Sequence, residues 1–199
     1  MTTHSIIGTG HIGSALASHF GRKGIEVGIA NSSGGPALAD LARKLGPSVK
    51  PVSVKEALGA GIVVLAVPFT SVSEVVRDAG AWSGRIVVDA TNARLPPGAL
   101  AGRLSTEVVA DAVRGARVVK AFNTMFAAVL AQDPGQHGGH RVVFMSGNDE
   151  AANTDVASLV ERLGFSAVVL GRIAEGGRLQ DFGAPLVGLN LLRYPNQGG

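Results

Sequence analysis

A glycine-rich segment near the amino terminus is the first candidate for a ligand-binding site. The motif GTGHIG places Gly8, Gly10 and Gly13 directly after the apolar run SII and directly before an alanine-rich stretch. A glycine at the first position permits a tight turn. The second lets the backbone approach a pyrophosphate, and the third lets a helix pack against the strand. The order strand, loop, helix therefore predicts a dinucleotide-binding loop, although a plain glycine turn would share its composition.

Polar, uncharged residues occupy the place where an adenosine ribose would lie. The next predicted strand ends at Ala30 and is followed by Asn31, Ser32 and Ser33. NAD enzymes usually carry a carboxylate here, which binds the ribose 2′-hydroxyl and repels a 2′-phosphate. The amide and hydroxyl groups favour NADP(H), with Arg43 or Lys44 the candidate cations nearby. A turn that caps the following helix is the alternative interpretation.

Two further strand ends carry residues suited to a ring-binding pocket. Val67, Pro68 and Phe69 follow one strand, and Thr91 and Asn92 follow the next. Ligands of open α/β sheets bind outside the carboxyl ends of the strands. Phe69 is either a pocket wall or a core aromatic residue. Thr91 and Asn92 either bind the nicotinamide or satisfy a local turn.

The segment after the strand VVKAF is the candidate substrate side of the pocket. It contains Asn123, Thr124, Met125 and Phe126, which combine polar groups with apolar side chains that suit a flat ring. The same residues could begin a helix and then enter the core. Lys120, inside the strand, could meet an anion or donate a proton, but we expect it to point into solvent.

No residue set predicts metal or acid–base catalysis. The chain has no Cys, and its five His show no metal-ligand spacing. His137 and His140 share a glycine-rich loop and are expected to be solvated. We therefore predict no catalytic side chain and no metal. Hydride transfer between two ring cofactors requires their alignment, while the cofactors supply the electronic chemistry.

Short apolar runs alternate with amphipathic stretches along the whole chain, which predicts an α/β fold with a doubly wound, mostly parallel Rossmann sheet. The predicted strands are His4–Ile7, Glu26–Ala30, Ile62–Val67, Arg85–Ala90, Arg117–Phe122, Arg141–Ser146 and Ala167–Leu170. The predicted helices are Ile12–Gly21, Ala37–Leu45, Val54–Gly59, Val72–Gly80, Ser105–Val113, Glu150–Leu163 and Gly183–Leu192. We expect one domain over residues 1–199, with 174–199 as a small helical extension.

Composition limits the possible partners. The 199 residues are 46% hydrophobic and 17% charged, with a net charge of +3 and no basic run. Nucleic acid is therefore an unfavoured partner, and no apolar stretch is long enough to span a membrane. With no signal-peptide pattern at the amino terminus, we expect a cytoplasmic protein whose partner is a small-molecule redox co-substrate.

The chain resembles the NADP oxidoreductase, coenzyme F420-dependent family. The motifs GTGHIG, ANSSGG, VVLAVPF, IVVDATN, ARVVKAFNT and GGRLQDFGAPLVGLNLL occur in the matching order over nearly the whole chain. It is also similar to the cytoplasmic reductase domain of six-transmembrane metalloreductases. The resemblance implies hydride transfer between NADP(H) and the deazaflavin coenzyme F420, in a homodimer. The apolar segment APLVGLNLL lacks a basic face and is predicted to lie at the dimer interface or in the core rather than on a membrane surface. The alternatives are an NADPH-dependent flavin or ferric-chelate reductase and a non-catalytic NADP(H) sensor.

The resemblance also assigns residues to the parts of the cofactor. The pyrophosphate would be held by four residues of the glycine loop, Thr9, Gly10, His11 and Ile12. The 2′-phosphate would be held by Asn31, Ser32 and Ser33. The nicotinamide would be walled by Val67, Pro68, Ala90, Thr91, Asn92 and Ala127.

Overall fold

A twisted sheet with helices on both faces forms the centre of the molecule. The computed structural model describes residues 3–195. The strands are β1 (His4–Ile7), β2 (Val27–Ala30), β3 (Val49–Pro51), β4 (Ile62–Leu65), β5 (Ile86–Asp89), β6 (Arg117–Ala121), β7 (Gly135–Gln136), β8 (Gly139–Gly147), β9 (Ser166–Val169) and β10 (Leu192–Arg193). The helices are α1 (His11–Lys23), α2 (Gly35–Leu45), α3 (Val54–Leu58), α4 (Val72–Val75), α5 (Ser105–Ala112), α6 (Ala127–Leu130), α7 (Glu150–Arg162) and α8 (Arg178–Gln180).

The first six strands are parallel and follow the spatial order β3-β2-β1-β4-β5-β6. The long strand β8 then runs antiparallel to β6 and parallel to β9, while β7 and β10 pair with its first residues. The doubly wound, mostly parallel Rossmann-like sheet is therefore confirmed. None of the helices within residues 3–195 is long and apolar enough to cross a membrane.

Strand register explains both the core and the position of the site. One row across the sheet consists of Ile29, Ile6, Val64, Val88 and Val119, all buried in a single apolar cluster. Neighbouring positions point to the opposite face and enter a second cluster, since side chains alternate along a strand. Because β1, β4, β5 and β6 are in register, their carboxyl ends meet at one edge.

Most of the predicted strands and helices lie within two residues of their predicted bounds, but the helix predicted at Val72–Gly80 ends at Val75 and the carboxyl-terminal helix was wrong. Residues 183–192, predicted as helical, instead form turns that lead into β10. Gly183 and Gly188 have φ of 85° and 88°, values that a right-handed helix does not contain. Within the described part of the predicted extension, helical structure is confined to a π-type turn at Ile173–Gly177 and the short α8. Residues 196–199 lie outside the described residues.

Candidate functional site

The glycine loop joins β1 to α1 by close packing. Gly8 has φ of 103°, and its N–H donates to the Ala30 carbonyl oxygen at 2.8 Å. A Cβ on Gly8 would collide with the Ala66 carbonyl oxygen, and a Cβ on Gly13 would collide with the Gly8 carbonyl oxygen. These two glycines are therefore required by the protein's own backbone, which brings the first turn of α1 against the end of β1.

Gly10 differs from its two neighbours in the motif. It is exposed, and no described atom lies within 4 Å of the position that its Cβ would take. It also begins α1, with no side-chain cap and no acidic residue in the first turn. Amide groups at the start of such a helix bind phosphate well, helped by the helix dipole. The loop therefore fits a pyrophosphate, which could approach the Gly10 backbone where a Cβ would stand.

Asn31 fastens the second loop to the first. Its Nδ2 donates to Thr9 Oγ1 at 2.7 Å, and its Oδ1 accepts from the Gly34 N–H at 2.6 Å. Ser32 and Ser33, between these contacts, are exposed beside the start of α2, which also has no side-chain cap and no acidic first turn. The two hydroxyls and the start of α2 form a polar, uncharged surface suited to an anion, and Asn31 holds this loop against Thr9.

These loops enclose a cleft of about 720 Å³ at the carboxyl edge of β1, β2 and β4. Eight of the predicted cofactor residues line it: Gly8, Thr9, Gly10, Asn31, Ser32, Ser33, Val67 and Pro68. His11 lines a neighbouring cavity on α1 instead, while Ile12 packs against the core and Gly13 is buried. The structure thus brings most of the predicted phosphate and ribose residues into one cleft.

Two carboxylates that the sequence analysis missed also line the cleft. Glu74 and Asp78 follow the turn after Pro68, and no Lys or Arg is among the residues that line the cleft. Arg43, a candidate cation, pairs with Asp40 and lines a separate cavity beside β3. The spacing of four between Glu74 and Asp78, just beyond a strand end, was the available signal for their shared position.

Thr91 is committed to a buried carboxylate. Its N–H and Oγ1 donate to Asp89 Oδ1 at 2.9 and 2.7 Å, and Thr91 itself is buried. Ala90 is also buried, and its N–H donates to the Leu65 carbonyl oxygen at 3.2 Å. These hydrogen bonds hold Ala90 and Thr91 in place. The Thr91 hydroxyl thus supports the predicted nicotinamide wall through Asp89.

Lys120 is buried, and the expectation that it points into solvent was wrong. Its side chain is 1% exposed, and Nζ donates at 3.2 Å to each of three atoms: Asp89 Oδ2, the Thr91 carbonyl oxygen and Ser105 Oγ. The residue lies beside Asp89 in the sheet register, so both side chains share one face. Burial by itself raises the pKa of Asp89, but the Lys120 charge and the hydroxyls of Thr106 and Thr91 outweigh it and lower that pKa.

The predicted substrate segment divides into an inner and an outer part. Asn123, Thr124 and Met125 are buried, whereas Phe126 is 64% exposed at the start of α6, which begins at Ala127. Phe69 is half-buried and packs against the second apolar cluster. Phe126 is thus the member of this set that faces outward.

Asn123 joins three parts of the chain. It exchanges side-chain and backbone hydrogen bonds of 2.9 and 3.0 Å with Asn92, and its Nδ2 donates to the Gln180 carbonyl oxygen at 2.6 Å. Gln180 is itself buried and accepts from Ser146 Oγ at 2.7 Å. Sequence reasoning missed Gln180, because three residues of helix in a turn-rich segment carry no periodic signal.

The loop histidines lie away from the cleft. His140 Nδ1 lies 2.8 Å from the Gly164 carbonyl oxygen, and His137 is exposed with φ of 51°. Within residues 3–195, no group of three or more His, Asp or Glu is placed to hold a metal ion.

The fold and the cleft together define a dinucleotide-binding α/β protein, and comparison with known proteins gives its family. The family model described as NADP oxidoreductase coenzyme F420-dependent matches residues 4–93. A hypothetical protein from Sinorhizobium meliloti is 52% identical over 97% of this chain and 96% of that chain, with a TM-score of 0.92. The chain belongs to this family of NADP-dependent oxidoreductases.

More distant structures agree in fold. A proposed F420-dependent NADP reductase from Arthrobacter sp. FB24 is 29% identical over 87% of this chain and 86% of that chain, with a TM-score of 0.70. A reductive aminase from Aspergillus terreus is 20% identical over 89% of this chain but 57% of that chain, with a TM-score of 0.65. The latter likeness concerns the fold alone. Comparison with curated proteins gave no match.

Proposed function

We propose that this protein transfers a hydride between NADP(H) and a deazaflavin, coenzyme F420. The observation that carries the proposal is the cleft in which the glycine loop faces Ser32 and Ser33 rather than a carboxylate at the ribose position. The family, and the proposed activity of the Arthrobacter relative, support the choice of acceptor. In the forward direction one hydride and one solvent proton pass to F420 as NADPH becomes NADP⁺.

The phosphate groups would be held by backbone amides more than by charged side chains. Thr9, Gly10, His11 and Ile12 surround the start of α1, where the amide groups and the helix dipole attract the pyrophosphate. Ser32 and Ser33 would bind the 2′-phosphate, with Asn31 keeping their loop against Thr9. When bound, NADPH supplies the hydride from its nicotinamide ring.

The remaining predicted residues would orient the rings and exclude water. Val67, Pro68 and Ala127 would wall the nicotinamide beside the segment Ala90–Asn92. Phe69 and the segment Asn123–Phe126 would bound the acceptor side, with Phe126 the exposed contact. Alignment of the two rings is the contribution that the protein must make, because proximity accounts for much of the rate of such transfers.

The test is the loss of the visible absorption band of oxidised F420 when purified protein and NADPH are added. We expect rapid loss with NADPH and slower loss with NADH. A parallel reaction with FMN or a ferric chelate tests the flavin or ferric-chelate reductase alternative. If NADPH binds in a titration but neither F420, FMN nor chelate is reduced, the protein is a binding module and the proposed activity is wrong.

We further propose that the protein acts in the cytoplasm as a homodimer. The predicted interface segment carries exposed apolar side chains at Leu189 and Leu191, which are 41% and 45% exposed, and Tyr194 just beyond the segment is 54% exposed. Side chains of this kind gathered in one segment are typical of an interface. Light scattering after size exclusion should give twice the chain mass, and Leu191→Glu should give the monomer. A wild-type monomer at micromolar concentration would refute the dimer.

A further inference from the structure

An arginine and a phenylalanine stack at the acceptor edge without a role in the cofactor cleft. The Arg94 guanidinium carbon lies 5.1 Å from the centroid of the Phe182 ring. Arg94 is exposed, and Phe182 is 47% exposed. Among the ion pairs of residues 3–195, none includes Arg94, whereas Arg103 on the same loop pairs with Asp111 at 2.6 Å. The Arg94 charge is therefore available to a ligand.

The pair lies beside the ends of β5 and β6. Asn123 binds both Asn92 and the Gln180 carbonyl oxygen, so the loop after β5 and the segment after α8 meet there. Arg94 is two residues beyond Asn92, and Phe182 is two residues beyond Gln180. The stack thus stands directly outside the point where the proposed nicotinamide wall and acceptor segment join.

Phe126 borders the same segment from the side of β6. The Gly188 N–H donates to the Thr124 carbonyl oxygen at 2.7 Å, and the Phe126 ring lies 3.5 Å from the Cβ position of Gly188. Phe182 therefore belongs to the carboxyl-terminal segment, and Phe126 packs against the same segment.

The exposed stack rests on a fixed base. Asp181, next to Phe182, accepts from Ser105 Oγ at 2.6 Å and from the Ser105 N–H at 3.2 Å. Ser105 Oγ in turn accepts from the buried Lys120. Anchoring of this kind limits the conformational entropy that the exposed ring and guanidinium would lose on binding.

We propose that Arg94 and Phe182 form the acceptor subsite that recognises the negative charge of a flat ring substrate, in the deazaflavin reaction proposed above. A guanidinium stacked on an aromatic ring still directs its N–H donors outward in its plane, a geometry that fits a phosphate or carboxylate. Phe182 supplies the apolar surface beside it. The ligand class is a planar heteroaromatic acceptor with an anionic side chain.

The experiment compares acceptors that share a ring and differ in charge. The probes are F420 and its nucleoside fragment without phosphate and glutamates, together with FMN and riboflavin, each measured by fluorescence titration and by KM. For Arg94→Ala we expect KM and Kd for the phosphate-bearing probe to rise about tenfold. The KM and Kd for the uncharged probe should stay nearly unchanged, as should the KM for NADPH and kcat. Arg94→Lys should recover part of the lost affinity for the phosphate-bearing probe. Phe182→Leu should weaken the binding of both the charged and the uncharged probe that share a ring.

Arg114→Ala is the control, because this arginine is also exposed but is not among the residues that line the cavity beside Phe182, whereas Arg103 is. The subsite is refuted if Arg94→Ala weakens charged and uncharged probes equally, or changes neither. If wild-type protein does not oxidise NADPH with F420 but binds FMN in an Arg94-dependent way, the subsite stands and the deazaflavin function fails. If wild-type protein binds none of the four probes, both are wrong.

Discussion

At the scale of single residues, the cleft proposed to bind the cofactor phosphates has no Lys or Arg in its lining. Ser32 and Ser33 are exposed beside the start of α2, and Arg43 is turned to another cavity. In the proposed function, selection of NADP over NAD would depend on hydroxyl and amide donors, and the carboxylates of Glu74 and Asp78 lie in the same cleft. Both features can be tested by changing polarity while keeping size.

Removal of the two hydroxyls should weaken NADPH selectively. The double variant Ser32→Ala/Ser33→Ala loses two hydrogen bonds to a charged group, so the Kd for NADPH should rise about a hundredfold. The Kd for NADH, which has no 2′-phosphate, should hardly change. Isothermal titration measures both, with the exposed Ser73→Ala as control. An equal loss for the two nucleotides would contradict this assignment.

Neutralising the cleft carboxylates should have the opposite effect. In Glu74→Gln/Asp78→Asn the repulsion of the bound phosphates is reduced, and NADPH should bind about two- to threefold more tightly at low salt. The gain should shrink in high salt, because exposed charges are screened. Glu161→Gln, exposed on α7, is the control for net charge. Weaker binding in the double variant would show that the carboxylates contact the cofactor favourably.

At the scale of elements, the three motif glycines separate into packing and binding roles. Gly13→Ala forces a methyl group against the Gly8 carbonyl oxygen and should cost about 2–3 kcal/mol of unfolding free energy. Gly10→Ala meets no protein atom and should keep the wild-type Tm, yet lose NADPH affinity because its methyl group occupies the phosphate approach. Thermal unfolding and NADPH titration of both variants check this. If Gly10→Ala is stable and binds NADPH as tightly as the wild type, the proposed pyrophosphate site at the glycine loop is wrong.

The buried pair between β5 and β6 should be strongly coupled. Lys120→Met leaves the Asp89 carboxylate uncompensated, which should cost about 3–5 kcal/mol of unfolding free energy. Asp89→Asn/Lys120→Met removes both charges, keeps an acceptor oxygen for Thr91, and should recover much of that loss. Arg103→Met, in an exposed pair, should cost less than about 1 kcal/mol. Urea unfolding of these variants and of the single variant Asp89→Asn gives the values, and additive losses at positions 89 and 120 would show that the pair is not coupled.

At the scale of the whole molecule, two buried histidines link stability to pH. Burial, together with the charges of Arg22 and Lys23, lowers the pKa of His19. The hydrogen bond to the Leu130 carbonyl oxygen and the nearby Asp133 carboxylate raise that pKa, but by less. Burial likewise lowers the pKa of His4. The unfolded chain binds these protons below about pH 6.5, while the folded protein resists them. The unfolding free energy should therefore decrease as the pH falls through this range.

His19→Gln tests that linkage. The glutamine amide can still donate to the Leu130 carbonyl oxygen but does not titrate, so the variant should lose less stability between pH 7 and pH 5 than the wild type. The exposed His137→Gln should follow the wild-type curve. Urea unfolding at several pH values measures the slopes. An unchanged slope in His19→Gln would mean that the buried ring is not responsible.

The parallel sheet and the proposed phosphate-binding end of the cleft could both be predicted from sequence patterns alone. Continuous β-branched runs predict buried strands, and the GTGHIG motif is recognisable because its three glycines keep a fixed spacing within one strand–loop–helix unit. Asn31, Ser32 and Ser33 were located for the same reason, as the residues after a recognisable strand.

The side-chain contacts across the edge of the sheet could not be predicted from the sequence and are visible in the folded protein alone. Lys120 is buried because strand register places it beside Asp89, a partner 31 positions away that periodicity does not show. The expected helix over residues 183–192 gives way to turns and β10, because Gly183 and Gly188 adopt positive φ and the segment binds Thr124 and β8. Arg94 and Phe182 likewise meet through Asn123. Such contacts depend on long-range register, which a local pattern does not contain.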